Sequence, residues 1–151
     1  MEREFRISGG AIVINQGKTL LVRYLDSRKK SFLVGPGGGI NLDESTSQAV
    51  VREVLEETNI KVKPNKILFV EDMLSKRHRI IKIWFLCDYF EGKPTLTHGA
   101  KEEGILEVGW YAREQLDKET VYPMPLKKYN WDDFNKDNWQ TIYLELKEVD
   151  F

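Results

Sequence analysis

Read for the alternation of apolar and polar positions, the chain resolves into extended segments grouped around one helix. Phe5 to Asn15 and Thr19 to Leu25 are rich in β-branched and aliphatic residues and are parted by Gln16-Gly17-Lys18. That pattern predicts a hairpin or two neighbouring strands. Further strands are predicted at Ile67 to Met73, Arg79 to Phe90 and Leu106 to Tyr111, with a short helix at Arg113 to Asp117. Near the end, Ile142, Leu144 and Leu146 alternate with Tyr143, Glu145 and Lys147, the period of two expected of a half-buried strand. Between Val34 and Asp43 stand Gly35, Pro36, Gly37, Gly38 and Gly39, which exclude a regular element and predict a loop of unusual backbone shape.

The helical period is confined to Ser45 to Thr58. Ser45 can cap the first turn while Gln48 reaches back to it, and Asn59, tolerant of the left-handed conformation, marks the exit with Pro64 following. At 100° per residue Val50, Val51, Val54 and Leu55 share one arc, and Ala49, Arg52, Glu53, Glu56 and Glu57 share the other. The aliphatic arc is expected on the sheet and the glutamates in a cleft. Strands before and after this helix favour an α/β fold with a mixed sheet.

Composition narrows the class. The 151 residues are 41% hydrophobic and 31% charged, with four Trp, six Tyr and seven Phe, which predicts one globular domain over residues 1–151. A net charge of −1 leaves no global positive field for a nucleic-acid backbone, so nucleic acid is not the expected partner. The single cysteine, Cys87, lies in the apolar run from Ile83 to Phe90 and reads as a buried hydrophobe, which excludes a disulfide and a cysteine zinc site. Met1 to Arg6 are charged and no apolar run reaches the roughly 18 to 20 residues needed to span a bilayer, so neither signal peptide nor anchor is expected and the cytoplasm is the expected compartment.

Charge placement changes the picture more. From Asp43 to Glu57 there are five carboxylates (Asp43, Glu44, Glu53, Glu56, Glu57) and one arginine, a local charge of −4. Glu53 with Glu57, and Glu53 with Glu56, are like-charge pairs one helical turn apart, which cost stability unless a cation lies between them. Carboxylate oxygens suit Mg²⁺ or Mn²⁺, and Mg²⁺ usually completes its shell with water and substrate phosphates. The glycine run just before the helix offers close backbone approach, and the helix N-terminus adds partial positive charge. A solvated helix face and a tight turn are the plain alternatives for the two features taken singly.

Their joint spacing sets those alternatives aside. From Gly38 five residues intervene before Glu44, seven more before Arg52, and Arg52-Glu53-Val54-Leu55-Glu56-Glu57-Thr58-Asn59-Ile60 then follows unbroken. This resembles the 23-residue box of the Nudix hydrolases at every prescribed position but one, Asn59 standing where the family has glycine. The resemblance covers Gly38 to Ile60 directly. It implies an α/β/α sandwich around a mixed sheet and hydrolysis, with Mg²⁺ or Mn²⁺, of the diphosphate linkage in a small nucleotide derivative. It implies Glu53, Glu56, Glu57 and the Gly38 carbonyl as metal ligands, with Glu53 or Glu56 also placed to activate water. Gly37, Gly38 and Gly39 would form the substrate-facing loop, and Arg52 would pair with carboxylates of the box, here Glu44 and Glu56. A base from a downstream loop is a further family possibility; Glu103, beside Glu102, is the first choice here.

A catalytically silent module that binds a nucleotide is the competing reading, and the intact glutamates argue against it. The rest of the pattern gives less. Lys76, Arg77, His78 and Arg79 form a small basic patch at a strand entrance, read as a blunted strand end in preference to a phosphate contact. His98 reads as a turn residue, and Tyr129, Trp131, Phe134 and Trp139 as core packing. Asn41 stands where the family commonly has glutamate, so the box specifies the diphosphate and not the leaving group. Monomer and homodimer are both compatible with the pattern.

Overall fold

Gln16 and Gly17 both have positive φ, 52° and 77°, and together set Asn15 opposite Lys18. They join strands β1 (Glu4–Asn15) and β2 (Lys18–Leu25) as the predicted hairpin. The computed structural model describes residues 2–151. It continues through β3 (Ser31–Val34), β4 (Gly37–Gly39), helix α1 (Thr46–Thr58), β5 (Lys61–Leu74) and β6 (His78–Glu91). Helix α2 (His98–Glu102), β7 (Glu107–Ala112), β8 (Val121–Tyr122) and β9 (Ile142–Glu148) complete it, with 3-10 turns at Arg113–Leu116, Met124–Lys127 and Trp131–Asn135. The main path of the sheet runs β8-β3-β2-β1-β6-β5-β9, with β4 paired to β1 and β7 to β2. Three pairings (β1 with β6, β5 with β9, β3 with β8) are parallel and the others antiparallel, so the sheet is mixed, as the sequence predicts.

Alternation along β1 and β6 divides the core between the two faces. Ala11, Val13 and Cys87 pack beneath α1 with Val50, Val54 and Ile60. Ile12, Trp84 and Leu86 face the other way, against Phe69, Trp131 and Phe134. There Phe69, Phe134 and Trp139 meet edge to face at 5.1 to 6.0 Å, and Trp131 Nε1 donates to the Leu126 carbonyl at 2.8 Å. The C-terminal aromatics are core, as their density suggests. Burial pushes the Cys87 thiol up to about 12, so it stays an inert hydrophobe at neutral pH.

Four expectations need correction. The glycine run is not wholly irregular: Gly37–Gly39 form β4, antiparallel to Ser8–Gly10, because three residues without side chains can lie against a second glycine pair. The strand expected at Ile67 begins at Lys61 and passes Pro64 through register shifts, which let a residue without an N–H sit in the ladder. The alternation at the C-terminus ends at Leu144, because the ladder pairs Glu71 with Leu144 but Met73 with Lys147. Leu146 is therefore turned out to solvent and Lys147 in, 2.7 Å from the buried Glu71 carboxylate.

The fourth concerns α1. Val50 and Val54 are buried, but Val51 and Leu55 are 37% and 39% exposed, whereas Ala49, Glu53 and Glu57 are buried. The buried stripe is thus rotated from the aliphatic arc toward the acidic one. The helix lies so close to β1 that a Cβ on Gly9 would sit 2.7 Å from Val50 Cγ2, and its next turns face β4, where carboxylates take up the space.

Candidate active site

Both ends of α1 are fixed by the residues that predict them. Gln48 N–H donates to Ser45 Oγ at 3.1 Å, Ser45 N–H donates to Gln48 Oε1 at 2.8 Å, and Asn59, at φ 64°, closes the last turn on the Leu55 carbonyl. The caps fix how far the glutamates project over β4. A Cβ on Gly37 would lie 2.2 Å from the Gly9 carbonyl oxygen, so only glycine lets β4 approach β1. At Gly38 the obstacle is different: a Cβ there would lie 2.7 to 2.9 Å from the Glu53 carboxylate. Gly38 therefore makes room for the acid.

Glu57 is 1% exposed, and its Oε1 accepts the Gly37 N–H at 2.9 Å. Burial pushes its carboxyl up to about 8, opposed by that N–H and reinforced by the neighbouring Glu53. Burial also raises Glu53, with Arg52 pulling the other way. Oxygens of Glu53, Glu57 and Glu103 all lie within 4.8 Å of one another. Glu103 arrives on the C-terminal cap of α2, not on a free loop. Thr97 caps α2 through the Ala100 N–H at 3.0 Å and donates its hydroxyl to the Glu56 carbonyl of α1 at 2.6 Å. The Thr95 N–H adds a bond to the Thr58 carbonyl at 2.9 Å.

Arg52 organises the acids on the outer side. Its Nε and Nη2 bind both oxygens of Glu44 at 3.0 and 2.6 Å, Nη1 reaches Glu53 at 3.0 Å and Glu56 at 3.3 Å, and Nη2 donates to the Gly39 carbonyl at 3.2 Å. Glu44 in turn accepts the Asn41 N–H at 2.8 Å, and the Arg52 and Asn41 bonds hold its carboxyl below the usual range. The half-exposed Glu56 carboxylate stays with Arg52, outside the group formed by Glu53, Glu57 and Glu103. Glu102 pairs with His98 at 2.8 Å on the surface, where such a pair adds little stability.

Beside this group opens a cavity of about 510 Å³. Glu57, Gly37 and Gly38 form one side, and Arg6, Ser8, Ile80 and Lys82 line its β1 and β6 walls. Tyr24 and Phe32 stand across from them with the chain's last residue, Phe151, whose ring stacks on Phe32 at 5.2 Å. Lys76, Arg77 and His78 belong to the lining as well as to a strand end. Tyr24, Arg6 and Lys82 escaped the sequence reading. The alternation of β1 and β6 was the available signal, since it sets Arg6, Ser8, Ile80 and Lys82 on one face. Burial, then the charges of Glu57, Glu103 and Glu53, push the Tyr24 hydroxyl well above its ordinary value.

Three converging acids at a helix, beside a glycine strand and a cavity, form a donor set of the kind that suits a hard cation. The family model of the NUDIX domain matches residues 4–133, and the chain belongs to that family. It is 28% identical over 112 residues to an ADP-ribose pyrophosphatase of Methanocaldococcus jannaschii, covering 73% of this chain and 66% of that one. It is 30% identical over 105 residues to the NAD-capped RNA hydrolase NudC of Yersinia pestis, covering 70% of this chain and 38% of NudC. The chain thus spans less than two thirds of either relative. The MutT protein from Methanosarcina mazei Go1 superposes with a TM-score of 0.65 at 30% identity, over 80% of this chain and 87% of that one. Among the described residues, no helix is long and apolar enough to cross a membrane.

Proposed function

We propose that the chain is a Mg²⁺- or Mn²⁺-dependent hydrolase that cleaves the diphosphate linkage of a nucleoside di- or triphosphate derivative by attack of water on phosphorus. The observation that carries the reading is the convergence of Glu53, Glu57 and Glu103 oxygens within 4.8 Å, two of the acids buried, at the edge of a cavity. All-carboxylate oxygen donors fit a hard divalent cation, and burial, with the neighbouring acids adding to it, raises the carboxyls of Glu53 and Glu57, a cost that a cation between them would offset. Glu53, Glu57 and the Gly38 carbonyl would hold the ion, and Glu56 would join them by leaving its pair with Arg52. Bound there, the ion would neutralise charge on the diphosphate and lower the pKa of a coordinated water.

The chain's own residues supply the rest. Arg52 orients Glu44, Glu53 and Glu56, the Gly37 N–H orients Glu57, and the glycine strand leaves the substrate side open. Glu103 takes the proton of the attacking water in this reading, its position fixed through Thr97. The expected substrate is a small nucleotide, and the names of the relatives put ADP-ribose and NAD-capped RNA on the panel. We assign the chain to the cytoplasm, acting as a monomer or homodimer. The test is turnover of ADP-ribose, nucleoside triphosphates, nucleotide sugars, dinucleoside polyphosphates and an NAD-capped oligonucleotide with each metal, products identified. Metal-dependent release of phosphomonoesters from at least one is expected. Nucleotide binding without turnover of any would establish the silent module instead.

A further inference from the structure

We propose that Arg6 and Lys82 form a second, cationic subsite in the cavity, which takes a phosphate oxygen of the substrate not held by the carboxylate-bound metal. This rests on the reading of the site as one for a diphosphate. β1 and β6 are parallel, with Arg6 opposite Ile80 and Ser8 opposite Lys82, so both cations project from the same face of adjacent strands into the cavity that Glu57, Gly37 and Gly38 border. Among the described residues neither side chain has a hydrogen bond or an ion pair, though both backbones sit in the ladder. Arg23, Arg52, Arg79 and Lys147 are each bound to carboxylates.

Their positions are built. The Lys82 ammonium lies 4.2 Å from the centre of the Trp84 ring, and a Cβ on Gly10 would meet that ring at 2.4 Å and Lys82 Cε at 2.8 Å. Gly10 therefore leaves the space in which the lysine stem lies. On β4, where Gly39 pairs with Ser8, a Cβ on Gly39 would lie 2.7 Å from Arg6 Nε, so the third glycine of β4 makes room for the guanidinium. Two glycines are thus committed to two cations that, among the described residues, no carboxylate touches at ion-pair distance, although Glu71 stands opposite Lys82 across β5 and β6.

The charge balance says what they face. The acids of the site and a diphosphate together carry more negative charge than one divalent cation offsets. Cationic side chains on the cavity side would balance part of the remainder. A guanidinium fork and an ammonium are the groups that bind phosphate oxygens as donors, the first bidentately and the second as a point charge.

Lys82→Met, Arg6→Met and Lys82→Arg test the subsite, with melting temperature recorded for each. The first readout is calorimetric titration with inorganic pyrophosphate in chelator, which needs neither metal nor turnover. Lys82→Met and Arg6→Met should each weaken it by about tenfold or more, and Lys82→Arg should restore most of the affinity. The second is steady-state kinetics on whichever substrate the panel yields, where both methionine variants should raise KM by about tenfold with a smaller change in kcat. Pyrophosphate affinity within twofold of the parent in both methionine variants, or no binding by the parent, would overturn the subsite even if metal-dependent turnover stands. Failure of every panel substrate would instead remove the hydrolase reading, and the titration would still decide whether the cations bind phosphate. Arg6, exposed on β1, keeps the test valid if Lys82→Met fails to fold.

Discussion

The Gly37 N–H donates to Glu57 Oε1 at 2.9 Å, one bond from a glycine strand to an acid that is otherwise sealed from water. A single neutral donor offsets little of the cost of burying a carboxylate, and the raised Glu57 carboxyl records the remainder.

Stability of the metal-free protein should therefore depend on pH in a stated direction. An acid whose value rises on folding binds its proton more tightly in the native than in the unfolded chain, so its contribution is present at low pH and lost as pH rises. For Glu57 the window runs from the ordinary 4.5 to about 8, and Glu53 adds in the same sense. Melting temperature in chelator should fall across that window, and Glu57→Gln should flatten the curve and melt higher than the parent at pH 8. Parallel curves for parent and variant would refute the assignment.

Metal should reverse the trend. Mg²⁺ or Mn²⁺ binding to the folded chain at a hundred times its dissociation constant adds about 2.7 kcal/mol. The gain in melting temperature should grow from pH 6 to pH 8 as protons cease to compete for the carboxylates. Activity should vanish in chelator and return with metal, and full turnover in chelator would sink the mechanism.

The carboxylates should separate by rate. Glu53→Gln, Glu56→Gln and Glu57→Gln are each expected to lower turnover by at least about 10²-fold, roughly 2.7 kcal/mol in the barrier. Glu103→Gln should match them, because α2 holds it within 4.8 Å of Glu53 and Glu57. Glu102→Gln should stay near the parent, its partner being a surface histidine. Steady-state kinetics of the five variants tests the ranking, and near-parental turnover for Glu103→Gln would move the base elsewhere.

Two adjacent glycines should fail differently. Gly37→Ala drives a methyl into the Gly9 carbonyl and should unfold readily, by at least the roughly 1–3 kcal/mol of an overpacked core. Gly38→Ala meets only the end of a glutamate side chain, which can swing away. It should melt near the parent and bind Mn²⁺ more weakly, as followed by thermal denaturation and metal titration.

Arg52→Lys should weaken metal binding by about tenfold while leaving the fold intact, since an ammonium cannot span Glu44, Glu53, Glu56 and the Gly39 carbonyl together. Titration of Mn²⁺ by its paramagnetic signal gives the comparison, and unchanged affinity would leave Arg52 no orienting part.

Much of this was legible in the chain. Ser45, Gln48 and Asn59 announce the helix because capping is local chemistry, and the acids of the box announce themselves by spacing. The phase of the helix was not legible, since Val51 and Leu55 obey the aliphatic arc until β4 arrives to bury Glu53 and Glu57 in their place. Nor was the outward turn of Leu146, which follows a shift in a ladder with a strand some 70 residues away, shown by the 71-residue separation of Asp72 from Tyr143. Glu103 could be named from the sequence, but only packing through Thr97 tells it from Glu102.

The bond from the Thr97 hydroxyl to the Glu56 carbonyl has a mechanical side. The last carbonyls of a helix lack partners within it, and here Glu56 and Thr58 find theirs in the segment that delivers Glu103. Fraying of the final turn of α1 should therefore withdraw Glu103 as well: amide hydrogen exchange at the end of α1 and across α2 is expected to share one opening free energy, and both segments to slow together when Mg²⁺ or Mn²⁺ is added.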